Sequence, residues 1–292
     1  MILAAAAASA ALPTSAAATY PGRDGRLVYT LEKGGDELCE DGVHQNCGRI
    51  TQSIYSIRSD GRGRKKLLDC EERQCYAWRP MWSPDGRRIA YSNGAVALRV
   101  MRADGSGNRR VGSVAAFQPT WSPDGRELAY ARYFADGTEG IFRIGVRGGG
   151  EKRVTRGRDS VPDWSFRNVI AFNRAPVATS EIDMWTVRAH GGDATRVTHR
   201  HVDELSWAPG GRRFVFGGSG SLYVKAAGGG RPRRIEGLHG YHPVWSPSGR
   251  RVVYEGDEGI RIANIDGSRD HLVPGIAPGA AVSSWQPLET AR

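Results

Sequence analysis

Pro119-Thr120-Trp121-Ser122-Pro123-Asp124-Gly125-Arg126-Glu127-Leu128-Ala129-Tyr130 decides the fold, because the chain writes this stretch several times over. Pro80 to Tyr91 (PMWSPDGRRIAY) and Pro243 to Tyr254 (PVWSPSGRRVVY) are close copies. Weaker copies run from Pro162 (PDWSFRNVIAF) and Leu205 (LSWAPGGRRFVF), and a fragment, Ser284-Trp285-Gln286-Pro287, stands near the C-terminus. The tryptophans Trp82, Trp121, Trp164, Trp207, Trp245 and Trp285 are therefore 39, 43, 43, 38 and 40 residues apart. A strand-rich period of roughly 40 residues is the signature of a propeller or a related repeat array.

Each unit reads as four short strands. In the second unit, strand a lies near Pro80–Trp82, strand b at Arg88–Tyr91, strand c at Ala97–Arg102 and strand d near Arg109–Val111. Ser83-Pro84-Asp85-Gly86 joins a to b, combining a preset φ with a residue that tolerates φ > 0, as tight antiparallel turns require. The c–d turn recurs as Asp60-Gly61, Asp104-Gly105, Gly148-Gly149, Gly191-Gly192, Gly228-Gly229 and Asp266-Gly267. The b segments, such as Ile89-Ala90-Tyr91 and Val252-Val253-Tyr254, are apolar without clean alternation, as expected of sheets buried on both faces.

The first unit starts abruptly at Asp24-Gly25-Arg26-Leu27-Val28-Tyr29 and lacks a tryptophan half, while the half around Trp285 has no repeat behind it. Together they make one complete unit, so the C-terminal strand is expected to complete the first blade and close the ring. The expectation is an all-β, six-bladed propeller of four-stranded antiparallel blades, with the tryptophans packing between blades.

The repeated (P)xWSPDGxxIAY unit, from about Arg23 to Pro287, resembles the TolB-type β-propeller repeat, related in architecture to WD-repeat propellers. TolB carries a separate N-terminal domain before its propeller, and here only a few residues stand between the leader and the first repeat, so the resemblance implies the propeller and not a role in the Tol–Pal system. Some TolB-like propellers, the oligogalacturonate lyases, hold a metal with histidines at the channel mouth. The resemblance thus raises the same use for His201, His239 and His242, although the six units here fall short of the seven in those enzymes.

Met1 to Ala18 (MILAAAAASAALPTSAAA) is an apolar, alanine-rich run ending in an A-x-A site, a secretory leader without the usual positive n-region. Residues 1–18 are read as a signal peptide and 19–292 as one propeller domain, which places the protein in the cell envelope, periplasm or exterior. The leader run is too short and too weakly apolar for a stable membrane span. The four cysteines, Cys39, Cys47, Cys70 and Cys75, all fall in the first unit, and an even count in an exported chain reads as two disulfides. The local pairings are Cys39–Cys47 and Cys70–Cys75, and the crossed ones are open because the loops share one rim. Spacings of C-x7-C and C-x4-C without flanking histidines beyond His44 argue against a zinc site.

The chain of 292 residues has a net charge of +10, and only five of its 41 basic residues are lysines. Its arginines recur once or twice per repeat rather than as one block, which reads as a solvated surface, and no nucleic-acid motif is present. No G-x-S-x-G elbow occurs, since Gly217-Gly218-Ser219-Gly220-Ser221 fails at its last position, and neither H-E-x-x-H nor a P-loop is found.

Chemistry-bearing side chains gather in the d–a loops, which open beside the innermost strand. Six residues before the later tryptophans stand Arg158, His201 and His239, with Asp159, Asp203, Glu204, Tyr241 and His242 nearby. The opposite face consists of Pro-Asp-Gly and Gly-Gly turns with little chemistry. The candidate ligand-binding residues are Arg158, Asp159, His201, Asp203, His239, Tyr241 and His242, with no catalytic residue, cofactor or metal assigned. His199 and His201, two apart on an extended segment, point opposite ways and do not make a chelating pair. The functional expectation is a monomeric, non-catalytic module that binds an envelope or secreted protein or an anionic wall polymer at the mouth. The alternative is a metal-dependent polysaccharide lyase or hydrolase acting on acidic sugars there.

Overall fold

Tight turns cut each repeat into four short segments, and the segments pair as four-stranded antiparallel sheets, six in all. The structure is a computed structural model that describes residues 20–34, 51–73, 75–94, 97–112, 116–132, 139–175, 182–199 and 201–289. The leader expected at 1–18, Cys39 and Cys47 lie outside the described residues.

Blade 1 takes its strand a from the C-terminus (Ala280–Leu288) and strands b, c and d from Arg23–Lys33, Thr51–Arg58 and Lys65–Leu68. Strand a pairs with strand b in antiparallel register, Leu27 opposite Trp285 and Leu31 opposite Ala280, so the chain ends close the ring as the split first repeat implies. Blade 2 comprises Ala77–Trp82, Arg88–Asn93, Ala97–Arg102 and Arg109–Val111, matching the expected elements with strand a entered three residues earlier. Blades 3 to 6 repeat the order, their innermost strands being Phe117–Trp121, Asp159–Trp164, Leu205–Trp207 and Tyr241–Trp245. Each innermost strand abuts that of the next blade, and the sixth abuts the first. Blades 2 and 5 therefore face each other across the central channel.

The tryptophans pack between blades. Trp245 is fully buried and joins Val252 and Tyr254 of its own blade to Val215, Leu222 and Ile235 of blade 5. A second inter-blade seam is polar: the residue before one tryptophan accepts the backbone N–H of the next blade's tryptophan. Ser284 takes the Trp82 N–H (3.2 Å), Thr120 that of Trp164 (3.2 Å), Asp163 that of Trp207 (2.7 Å) and Ser206 that of Trp245 (3.2 Å). Buried backbone donors are costly to leave unpaired, so these small polar side chains fix the angle between blades as well as lining the channel.

The cysteine pair between blades 1 and 2 is Cys70–Cys75, one of the two local pairings, and it closes a loop that contains the short helix Cys70–Arg73. Among the described residues no helix is long and apolar enough to cross a membrane.

Candidate functional site at the channel mouth

Strand a carries a bulge in five blades. In blade 2 the register shifts between Trp78 and Met81, in blade 3 between Phe117 and Thr120, in blade 4 between Ser160 and Asp163, and in blade 6 between Tyr241 and Val244; in blade 1 it shifts opposite Val28 and Tyr29. In blades 2, 3, 4 and 6 the bulge residue stands three before the tryptophan and takes a left-handed backbone: Arg79 and Gln118 at φ 53°, Val161 and His242 at φ 50°. Such angles are uncommon for non-glycine residues and cluster where a side chain is re-aimed. A proline follows each of them, and because proline has no N–H to give, the ladder loses no donor at the bulge.

This position carries the chemistry of the mouth. Arg79 of blade 2 reaches across the channel and forms an ion pair with Glu204, which leads into strand a of blade 5. Both side chains are largely buried. His242 of blade 6 stands beside them, its Nε2 3.8 Å from Glu204 and its Nδ1 2.8 Å from Glu255. Glu255 in turn accepts the Val282 N–H (3.0 Å). Burial opposes protonation of His242, but the hydrogen bond to Glu255 and the charges of Glu204 and Glu255 outweigh it and raise its pKa. Gln118 holds the corresponding position of blade 3, and below this layer the channel is walled by Thr120, Asp163, Ser206 and Ser284. Burial pushes the Asp163 carboxyl up to about 6, against the pull of the Trp207 N–H, Arg79 and Thr120. At the opposite end Tyr20 fills the channel, its hydroxyl donating to the Trp121 carbonyl (3.0 Å).

The seven residues singled out by sequence part company in space. Asp159 is fully buried, gripped by Arg174 through two contacts of 2.6 and 2.8 Å, which makes it a strut of blade 4. Arg158 is exposed, 3.9 Å from Glu139. His201 is exposed and pairs with Asp203 (2.9 Å), whose other oxygen is buried without a hydrogen bond. His239 is exposed, with Arg234 3.5 Å away, and Tyr241 presents a 46% exposed ring beside Gly220. Only His242 joins the buried network. Among the described residues no three His, Cys, Asp or Glu side chains group closely enough to hold a metal, so His201, His239 and His242 do not converge on one ion. Arg79, Gln118, Asp163 and Tyr20 escape the sequence reading. Arg79 and Gln118 share a fixed offset of three residues before the tryptophan and Asp163 stands one before it, so the repeat itself marks these positions, whereas nothing in the repeat marks Tyr20.

No family model matches the chain, and no curated protein matches it in sequence. Solved structures do. TolB from Acinetobacter baumannii superimposes with a TM-score of 0.68 at 19% identity, over 90% of this chain and 67% of that one. A protein described as TolB from Agrobacterium tumefaciens gives 0.65 at 17% identity, over 90% of this chain and 94% of that one. The fold is the TolB-like propeller. At these identities the likeness is one of fold and does not transfer a site. The oligogalacturonate lyase of Vibrio parahaemolyticus is also similar, with a TM-score of 0.54 at 11% identity over 76% of this chain and 70% of that one.

Proposed function

We propose that the protein is an exported, non-catalytic TolB-like module whose loop-rich mouth recognises an envelope protein or an anionic polymer. The observation that carries this reading is the Arg79–Glu204 ion pair spanning the channel from blade 2 to blade 5. It closes the channel immediately under the mouth and satisfies both charges within the protein, together with His242 and Glu255. What remains for a ligand is the rim above: the exposed Tyr241 ring, His201, His239 and the Arg158 guanidinium. An aromatic, two imidazoles and an arginine on rigid loops suit recognition of a protein surface or of carboxylates. A lyase at the same mouth would require its histidines on one metal, and His201, His239 and His242 are not so grouped.

The test is site-directed photo-crosslinking in the cell envelope. A crosslinker in place of Tyr241 should give a discrete adduct or polymer ladder that Arg158→Glu weakens, while one in place of Leu272 on the outer strand of blade 6 should give none. Equal adducts from both positions would defeat the mouth reading. Stoichiometric metal on the purified protein, lost in a His201→Ala/His239→Ala variant, would move the function to the lyase class.

A further inference from the structure

The face opposite the mouth is made of turns, and the repeat gives those turns the same internal bonding. In blade 2 the Ser83 N–H donates to the Arg88 carbonyl and the Gly86 N–H to the Ser83 carbonyl. The same pair of bonds recurs as Ser122 to Glu127 with Gly125 to Ser122, Ala208 to Arg213 with Gly211 to Ala208, and Ser246 to Arg251 with Gly249 to Ser246. Immediately after each left-handed glycine comes an exposed arginine: Arg87, Arg126, Arg212 and Arg250. Blade 4, whose turn is shorter, contributes exposed Arg167. Charges that look dispersed along the chain are therefore collected by the fold into a ring, one per blade over blades 2 to 6.

Adjacent turns are tied to one another. Arg88 donates to the Gly125 carbonyl of the next turn (3.2 Å), and Arg167 donates to the Gly210 carbonyl (3.3 Å). The carboxylates of these turns bond within the turns, the Asp85 and Asp124 side chains staying partly exposed and that of Asp24 buried. Asp85 and Asp124 each accept a serine hydroxyl and a backbone N–H of their own turn, and Asp24 is held by Arg251 and Ser248. Arg87 and Arg126 have carboxylates no nearer than 4.0 Å, from Glu289 and Asp124, with the guanidinium side chains 77% and 85% exposed. Arg212 and Arg250 have none within salt-bridge distance among the described residues. Arg126 shares a surface groove with Arg88, Asp124 and Arg147 of the c–d turn, so the excess positive charge continues outward from the ring. Two exposed apolar side chains flank it: Phe166, beside Arg167 in blade 4, is 40% exposed, and Leu288, at the end of strand a in blade 1, is 38% exposed.

We propose that this smooth face is a docking surface for an anionic membrane leaflet, with lipid headgroup phosphates on the arginine ring and Phe166 and Leu288 at headgroup level. Exposed guanidinium groups at equivalent turns of one face can meet a surface of phosphates together, and arginine suits phosphate geometry. The two apolar side chains on opposite sides of the ring have a place in a bilayer interface and none on a soluble polyanion. Docked in this way, the protein holds its mouth away from the membrane, free for the partner proposed above.

The full chain, after removal of any leader, is tested by co-sedimentation with vesicles of 30% phosphatidylglycerol in phosphatidylcholine and with pure phosphatidylcholine at 0.15 M salt. Binding is expected only to the anionic vesicles. Replacing Arg87, Arg126, Arg212 and Arg250 by Gln should weaken it by about 600-fold, from about fivefold per arginine near a charged surface. A control with the same loss of charge on the mouth side, at Arg73 of the short helix, Arg156 and Arg158 of the loop before strand a of blade 4 and Arg234 of strand d in blade 5, should lose under about tenfold, because charges farther than a Debye length from the surface are screened. Phe166→Ser should weaken vesicle binding severalfold and leave binding to inorganic polyphosphate unchanged. Circular dichroism melts confirm that each variant is folded. Equal loss in the two charge variants overturns the proposal, as does the absence of binding to anionic vesicles. Binding to polyphosphate without binding to vesicles overturns it in favour of a soluble polyanion.

Discussion

Replacing Asp163 by Asn should make the protein more stable at neutral pH. Asp163 stands in the channel wall, with one oxygen taking the Trp207 N–H at 2.7 Å and the other 3.5 Å from the Thr120 hydroxyl. Burial raises its pKa from an ordinary 3.8 to about 6, and the opposing pull of the Trp207 N–H, Arg79 and Thr120 does not make up the difference. The folded protein thus holds this proton more tightly than the unfolded chain. The stabilising contribution of the protonated carboxyl is complete below about pH 4 and is lost as the pH rises to about 6 and beyond. A rise of that size, at 1.36 kcal/mol per pH unit, corresponds to about 3 kcal/mol. Asparagine keeps an acceptor for the Trp207 N–H and carries no charge to bury. The variant should therefore gain about 1–3 kcal/mol at pH 7.5, a Tm increase of about 3–10 °C for a domain of this size. The assay is urea and thermal unfolding of both proteins from pH 4 to 8. A variant no more stable at pH 7.5, or a gain that persists undiminished at pH 4, would refute the reasoning.

Three further outcomes follow from the ring and its mouth. Trp285→Ala removes a buried side chain from the strand that closes blade 1 and should cost about 3–5 kcal/mol in urea unfolding, comparable to a core Trp deletion elsewhere. Arg79→Gln strands the Glu204 carboxylate under the mouth and should cost about 2 kcal/mol, much of it recovered in the Arg79→Gln/Glu204→Gln double variant; additive losses in that cycle would show that the two do not interact. His242 has a folded pKa above its ordinary 6.5, so its pairing with Glu255 and Glu204 stabilises fully below that value and fades as the pH rises through the folded pKa. His242→Gln should therefore lower Tm at pH 6 and leave it nearly unchanged at pH 9, an effect of about 1 kcal/mol or less because the side chain is partly solvated. A Tm difference that does not change with pH would exclude the ion-pair explanation.

Most of the fold is legible because its causes are local and repeated. The Ser-Pro-Asp-Gly and Asp-Gly turns impose hairpins wherever they occur, and a split first repeat at Asp24 and Trp285 implies a closed ring. The tryptophans read correctly as packing residues because an indole at a 40-residue period has a neighbour at the same depth in the next blade. The mouth was legible only in part. Arg158, His201, His239 and Tyr241 do lie on the rim, since an exposed loop shows what its sequence shows. Asp159 misleads, because it is buried against Arg174, which the adjoining strand b supplies.

The sequence by itself determined the period, the turns and hence a ring of six blades, because backbone preference and apolar patterning act over a few residues. Tertiary structure decided what the ring does with its charges. Arg79 and Glu204 are 125 residues apart and become partners only because blades 2 and 5 face each other and a bulge turns Arg79 inward. Arg87, Arg126, Arg212 and Arg250 are scattered in sequence, and rotation of one turn geometry about a single axis brings them onto one face. Coulomb interaction depends on separation in space, and only closure of the ring sets that separation.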